Sequence, residues 1–578
     1  MSNYLLPCAN ISWQNNTPYA NDFSDIYWSR EVGVQEKTHV FLTEGHLARR
    51  WDQLHSRSFF TIAELGFGFG LNFLLTVDAW RKSGARGILH YISLEKYPVS
   101  VADLKRLREL LPNPMVDELL DIYPRPFHGR HVIWFGDNIR LTLIFDDALT
   151  SMRNLTAEVD AWYVDGFSPK NNESLWNKRV FGQLFRLSRK GATLTTYSVA
   201  GAVRRELTSA GFTITRVPGF GRKREMLSAT KMGDWQPASY PHRRVAILGK
   251  GVAGAFLNEA LAKRNLSVTV IHDDDSTSNR VPQLAIYPPL AINAEHRYRF
   301  SLSAFAYTKR QNPYFHPSGI TIKPKDQRET DRWRRIIEQF PDDFVHETES
   351  GIHFPDAGWL ASRQMTDEVP SQQSTIDSVQ RVGDTWQLRH QSGTVTTADI
   401  VIFATGARKA PLPMPSLINV IPGLALSISM DSSVDQVLSG KTTLYPEHAG
   451  LHTVSGIYDK DLTTPSEKHV QTLLGNIHDE HNLVTSAVGL RAATRDRLPL
   501  CGMMPDWLTL ADQPGLYLLQ GLGSHGGTTS RLCAEHIANL ITGEPFALDR
   551  PMQRALAPMR FQLRNSPNTR TLITPSIP

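Results

Sequence analysis

The segment Arg244-Val-Ala-Ile-Leu-Gly249-Lys-Gly251-Val-Ala-Gly254-Ala-Phe-Leu257 constrains this chain more than any other. An apolar run enters G-x-G-x-x-G, a helical pattern follows through Ala255, Leu257, Ala260 and Leu261, and the apolar run from Leu266 to Ile271 reads as a second strand. That succession predicts a βαβ unit that holds a dinucleotide. Its glycines allow a tight turn and a close backbone approach to a pyrophosphate, whose charge suits the positive end of the helix. His272 stands where the ribose-binding acid is usual, so Asp273 or Asp274 is expected to take that part. Because the unit begins near the middle of 578 residues, what precedes it should form a domain of its own.

The earlier half carries a glycine turn of a different kind. In Phe59-Phe-Thr-Ile-Ala-Glu64-Leu-Gly66-Phe-Gly68-Phe-Gly70 a strand runs into G-x-G-x-G with an acid before it, and the last glycine arrives one residue early for a dinucleotide site. This is similar to the opening of class I S-adenosylmethionine-dependent methyltransferases, where the turn passes beneath the methionine part of the cofactor and only hydrogen fits; the resemblance implies that Glu64, Gly66, Gly68 and Gly70 bind that donor. The next strand ends in Glu95, expected to receive ribose hydroxyls, and Val132-Ile-Trp-Phe135-Gly136-Asp137 repeats the form and offers Asp137 to an adenine. A nucleotide-free α/β domain is the plainer alternative. The apolar run from Val159 ends in Asp165 and turns through Gly166-Phe-Ser-Pro169. Ligands of open α/β sheets bind beyond the carboxyl ends of the strands, so Asp165 is expected to face the methyl donor. There a carboxylate can orient an amine and take its proton; the bland reading is an aspartate that caps the turn.

Three further stretches bear on partners. The aromatic residues Trp13, Tyr19, Tyr27 and Trp28 are expected to pack on the following domain rather than stack on a base. Arg204 and Arg205 lie on a helical pattern, and Arg222, Lys223 and Arg224 follow Phe220. Such charges either face solvent or hold RNA phosphates, and a net charge of +5 permits the latter without requiring it. Cys8, Cys501 and Cys533 are too scattered for a metal cluster or a disulfide framework. With no apolar run of membrane-spanning length and no signal-type N-terminus, a cytoplasmic protein bound to neither membrane nor metal is expected. Residues 236–243, which contain Pro237 and Pro241, read as a linker between a domain of residues 1–235 and one of 244–578.

Taken in order, the motifs from Glu64 through Asp165 to Gly219-Phe-Gly-Arg-Lys-Arg-Glu225, fused ahead of the dinucleotide unit, resemble the MnmC family of bifunctional tRNA 5-methylaminomethyl-2-thiouridine biosynthesis proteins over nearly the whole chain. The later motifs agree. A buried strand ending Ala404-Thr405-Gly406 is a flavoprotein signature and moves the second cofactor from NAD to FAD. Gly489-Leu-Arg491 through Asp496 to Pro499 resembles the glycine and D-amino-acid oxidase superfamily, whose arginine lies in the substrate pocket and can grip a carboxylate through two parallel hydrogen bonds. A Gly-rich turn at Gly523, Ser524, His525 and Gly526 opens a helix whose N-terminus suits a reduced flavin ring.

The resemblance implies a Rossmann-like methyltransferase followed by a Rossmann-type FAD oxidoreductase with a β-rich substrate part. FAD would be held by residues of about 244–300 and 395–545, and the substrate by those of about 300–395 and 410–490. It implies oxidative removal of the carboxymethyl group from a wobble uridine of tRNA, with Arg491 on the carboxylate, and then N-methylation of the amine; a monomer is expected. Asn279 and Arg280 would sit in a loop near the flavin, although the glycine the family carries after them is missing. Relatives tend to have arginine where His525 stands. These departures leave open a protein active only as a methyltransferase. A non-catalytic RNA-binding protein and a small-molecule amine oxidase fused to a methyltransferase are further alternatives.

Overall fold

The computed structural model describes residues 4–28, 33–110, 114–221, 224–273, 281–462, 464–475, 477 and 479–563. Asp274, Asn279, Arg280, Arg222 and Lys223 lie outside the described residues. The chain divides into two compact units.

The first unit comprises Leu5–Pro241 and Thr542–Arg550. Among the described residues its centre is a sheet in the order Phe212–Pro218, Glu225–Lys231, Ser188–Thr196, Val159–Val164, Ser58–Leu65, Ile88–Glu95, Ile139–Phe145, Gly129–Trp134. The four pairings from Ser188–Thr196 to Ile139–Phe145 are parallel. Ser58–Leu65 is buried at every position, as a parallel strand covered on both faces must be. Its side chains alternate between two apolar layers. Phe60 and Ile62 pack with Phe73, Val77 and Trp80 of the helix Leu71–Ser83. Ala63 and Leu65 pack with Val180, Phe181 and Leu184 of the helix Lys178–Leu187.

Two sequence expectations change here. The stretch expected to be a linker contains Ala238–Ser239, which pairs with Phe59 and Ser58, while Tyr240 N–H donates to Arg57. Residues Thr542–Arg550, expected in the flavin domain, belong to this unit. The buried Arg130 guanidinium donates to the carbonyls of Phe546 and Leu548, and the Phe546 N–H donates to Thr156.

The second unit comprises Tyr4, His242–Ile541 and the described residues from Pro551. One sheet runs Gln372–Gln373, Ser267–His272, Arg244–Leu248, Ile400–Phe403, Asp512–Gln520, Leu500–Pro505, parallel except at its last pair. The helix Val252–Ala262 joins its two central βαβ strands. Arg264 and Glu535, both wholly buried, pair at 2.6 Å, and Tyr307 donates to the same carboxylate at 3.0 Å. These bonds tie the helices His296–Lys309 and Gly526–Thr542 together and offset the cost of burying the charges.

A second, mostly antiparallel sheet orders His346–Thr348, Gly351–Phe354, Ile320–Ile322, Val437–Ser439, Thr443–Leu444, His452–Tyr458, Asn419–Met430, His481–Ala493. This is the β-rich part, and it is narrower than expected. Val379, Trp386 and Leu388 pack instead with Val401 and Leu516 of the dinucleotide-type sheet, and Thr308 of the helix His296–Lys309 donates to Thr528.

Candidate functional sites

The first unit holds a cavity of about 420 Å³ beyond the carboxyl ends of its parallel strands, within the range of small-molecule sites. Its wall includes Gly66, Gly68, Glu95, Asp146, Asp147 and Asp165. Gly66 and Gly68 have φ of +88° and +51°, a left-handed path that side chains resist. A Cβ on Gly68 would lie 3.0 Å from the Tyr27 ring, so the turn is as narrow as its glycines suggest. Glu95 accepts the backbone N–H groups of Gly68 at 3.0 Å and Tyr97 at 2.8 Å; burial raises its pKa and these donors oppose the rise.

Three of the residues expected at the donor stand elsewhere. Asp137 is exposed in the turn of an antiparallel hairpin, because Gly129–Trp134 runs against Ile139–Phe145 and so ends at the opposite edge of the sheet. The acids that follow the parallel strand, Asp146 and Asp147, line the cavity instead. Glu64 and Gly70 are not among the lining residues. Glu64 lies buried beneath the wall, where it accepts from Asn72 at 2.8 Å and Ser93 at 2.8 Å, and desolvation pushes its pKa up to about 8. Gly70 ends the turn as the left-handed cap of the helix Leu71–Ser83.

Asp165 faces the cavity, and one of its oxygens is occupied. Asn72 donates to Oδ2 at 2.7 Å, and the Lys37 ammonium pairs with the same atom. Among the described residues no hydrogen bond reaches Oδ1. Neither Lys37 nor Asn72 is among the residues the sequence marks for the site. Asn72 follows the glycine turn, but nothing in the pattern marks Lys37.

The N-terminal aromatics pack on this wall. Trp13, Tyr27 and Trp28 meet Phe69 edge-on, and Phe23 stacks on Phe167 with centroids 4.6 Å apart. Arg204 lies on the helix Gly201–Ala210, and Arg205 on the same helix is exposed, as is Arg224 ahead of the strand Glu225–Lys231.

In the second unit Gly249 has φ +118°, and a Cβ there would lie 2.3 Å from the carbonyl oxygen of Ala404. A Cβ on Gly254 would fall 2.0 Å from the Gly249 carbonyl oxygen, so helix and strand approach to a distance only glycine permits. Gly251 is the N-cap of the helix Val252–Ala262. Asp273 ends its strand and pairs with Arg408, which follows Thr405 and Gly406. Thr405 Oγ1 accepts from Gln520 and donates to the Arg408 carbonyl at 3.0 Å, which fixes that turn.

Arg491 lies on the strand His481–Ala493 with its guanidinium 3.7 Å from the Tyr458 ring centroid. His525 closes the turn Gly523–His525 and meets Tyr287 edge-on at 5.3 Å. Its pKa falls to about 4, chiefly by burial and then by the charge of Arg491. Among the described residues its buried Nδ1 has no hydrogen-bond partner. Burial raises the pKa of Tyr287 and Arg491 lowers it, so Arg491 and His525 share one polar environment with Tyr287. Ser524 is exposed, and Gly526 begins the helix Gly526–Thr542.

Both halves are matched by family models. Residues 112–232 match S-adenosyl-L-methionine-dependent methyltransferases, and residues 244–540 match FAD dependent oxidoreductases. The protein is thus a two-cofactor enzyme, a methyltransferase joined to a flavin oxidoreductase. The tRNA 5-methylaminomethyl-2-thiouridine biosynthesis bifunctional protein MnmC of Marinobacter nauticus is 31% identical, over 94% of this chain and 96% of its own. That of Pseudomonas aeruginosa is 30% identical, over 96% and 98%. The chain belongs to the MnmC family of bifunctional tRNA-modifying enzymes. A glycine oxidase from Geobacillus kaustophilus aligns with 55% of this chain and 99% of its own at 18% identity and a TM-score of 0.46. Among the described residues no helix is long and apolar enough to cross a membrane, and no group of His, Cys, Asp or Glu could hold a metal ion.

Proposed function

We propose that this chain performs two consecutive reactions on one wobble uridine of tRNA, as a cytoplasmic monomer. The second unit removes the carboxymethyl group from 5-carboxymethylaminomethyl-(2-thio)uridine to leave a primary amine. The first unit methylates that amine to 5-methylaminomethyl-(2-thio)uridine. The observation that carries the reading is Asp165: a carboxylate at the wall of a glycine-turned cavity, one oxygen held and the other open.

The residues present fit both cofactors. Gly66 and Gly68 leave room at the turn for the methionine part of S-adenosylmethionine, Glu95 would hold its ribose hydroxyls, and Asp146 or Asp147 its adenine. When bound, S-adenosylmethionine supplies an electrophilic methyl group. Asp165 Oδ1 accepts a hydrogen bond from the acceptor amine, turns its lone pair toward that group, and receives the proton the nitrogen must lose.

Gly249, Gly251 and Gly254 would take the FAD pyrophosphate at the helix N-terminus, Asp273 its ribose, and Thr405, Gly406 and the turn Gly523–Gly526 the remainder. When bound, FAD supplies two-electron oxidation of an amine. Arg491, its face against Tyr458, holds the substrate carboxylate through paired N–H groups. His525 stays neutral beside it and adds no second cation. Arg204, Arg205, Arg222, Lys223 and Arg224 are the candidate phosphate contacts.

Mass analysis of tRNA nucleosides from a strain lacking this protein tests the reading. The carboxymethylaminomethyl form is expected to accumulate. An unchanged 5-methylaminomethyl content would contradict it.

A further inference from the structure

Asp165 is the only acid so far assigned to the acceptor amine, yet it is not an isolated charge. Lys37 reaches it from the short helix Gly33–Lys37, 128 residues away in sequence, with its side chain only 16% exposed and its ammonium 5.7 Å from the Phe41 ring centroid. The pair binds through Oδ2, the oxygen that Asn72 also holds, and it leaves Oδ1 for the cavity.

We infer that Lys37 is a positioning residue for methyl transfer: its ammonium cancels the charge of Asp165, so that Oδ1 receives the acceptor as a neutral, nucleophilic amine and not as an ammonium ion. The inference rests on the methyltransferase reading above.

A bare carboxylate would stabilise an alkylammonium ion and hold back the lone pair that must attack; one already paired with a cation does so much less. Among the described residues, Glu64 from the strand Ser58–Leu65, Tyr91 from Ile88–Glu95 and Tyr197 after Ser188–Thr196 act electrostatically on Asp165, and the cavity wall also carries Asp22, Asp25, Glu36, Glu95, Lys96, Asp146 and Asp147. Glu64, Tyr91 and Tyr197 all have their pKa raised by burial and so favour the neutral form near pH 7. Among the described residues, Lys37 is the cation that meets Asp165 directly. In the transfer the amine nitrogen forms the new N–C bond while the methyl–sulfur bond breaks with its electron pair left on sulfur. The surplus proton on nitrogen passes to Oδ1 and on to water.

The test uses the full chain and tRNA bearing 5-aminomethyluridine. kcat for methylation at saturating tRNA and S-adenosylmethionine, which reports ionisations in the bound complex, is measured against pH for wild type, Lys37→Met and Lys37→Arg, with S-adenosylhomocysteine binding by calorimetry to show that each folds. Lys37→Met is expected to move the acid limb up by about one pH unit, a roughly tenfold loss on that limb, while Lys37→Arg keeps the wild-type limb. Methylammonium, a small mimic of the acceptor cation, is titrated separately by NMR and is expected to bind Lys37→Met at least about fivefold more tightly than wild type, since Oδ2 has lost its own cation. An acid limb that stays in place in a Lys37→Met protein that still binds S-adenosylhomocysteine, or equal methylammonium affinities, overturns the inference. Absence of methylation by the wild type at every pH overturns the methyltransferase reading instead, and the methylammonium comparison then still decides the role of Lys37.

Discussion

Asn72 ties Glu64 to Asp165: its Nδ2 donates to Glu64 Oε1 at 2.8 Å and to Asp165 Oδ2 at 2.7 Å. A buried acid and an acid at the cavity wall thus share one amide, and the geometry of the second depends on the first. Asn72 sits in the first turn of the helix that the glycine turn starts, so the segment that would receive the methyl donor also sets the carboxylate that would receive the acceptor.

Replacing Asn72 by Ala should separate those functions. Both carboxylates lose a donor, and Glu64 loses it while buried, which costs about 1–3 kcal/mol of stability. Methylation should fall about tenfold to a hundredfold in kcat, with donor affinity changed less, because Asp165 is freed to turn. Equilibrium unfolding together with steady-state kinetics checks both.

Glu64 predicts how the first unit responds to pH. Its pKa is about 8 in the folded protein, against an ordinary value of 4.5. An acid with a raised pKa contributes its stability fully below the unfolded pKa, and that contribution is lost as pH rises through the folded one. Stability should therefore decline between about pH 4.5 and 8 by an amount of the order of a few kcal/mol. Glu64→Gln should flatten that slope in urea titrations at several pH values.

Gly254→Ala should remove the flavin. The added carbon would lie 2.0 Å from a backbone carbonyl that cannot withdraw, so the helix must move off the strand that carries the turn. The purified variant should lack flavin absorbance and still bind S-adenosylmethionine in calorimetry.

Arg491→Lys keeps the charge and loses the flat fork over Tyr458. Oxidation of the carboxymethylaminomethyl nucleoside should drop by about two orders of magnitude, chiefly through KM, with methylation of an aminomethyl tRNA unaffected. Nucleoside mass analysis after incubation with each tRNA distinguishes the two activities.

What could be read in the sequence were the parts whose chemistry is contiguous. The turns at Gly66–Gly70 and Gly249–Gly254 and the strand end at Asp165 each need their residues at fixed local spacing, so the pattern carries the mechanism. Strand direction is not local. The apolar run before Asp137 looks like the one before Asp146, and only the antiparallel pairing of Gly129–Trp134 with Ile139–Phe145 sends Asp137 to the far edge. Lys37 was illegible for a related reason, since its partner lies 128 residues on and a lone lysine in a short helix signals nothing. Nor did Thr542–Arg550 carry a mark of its return to the first unit, because its carbonyls at Phe546 and Leu548 meet Arg130, that of Pro545 meets Arg140, and Glu544 faces His90 and Arg140, all of them partners about 400 or more residues away. Glu64 was misread because an acid beside a glycine turn suggests ligand contact, whereas the alternation of Ser58–Leu65 turns it beneath the helix to Asn72 and Ser93.

The most direct test of the two-step account is a time course with the purified protein and tRNA carrying 5-carboxymethylaminomethyl-2-thiouridine, with nucleosides followed by mass. Without S-adenosylmethionine the account predicts conversion to the aminomethyl nucleoside and no further. With isotopically labelled donor it predicts that this nucleoside rises first and is then replaced by a labelled methylaminomethyl product. Persistence of the carboxymethylated nucleoside under both conditions, or labelled methyl appearing on it while the carboxylate remains, would contradict the account.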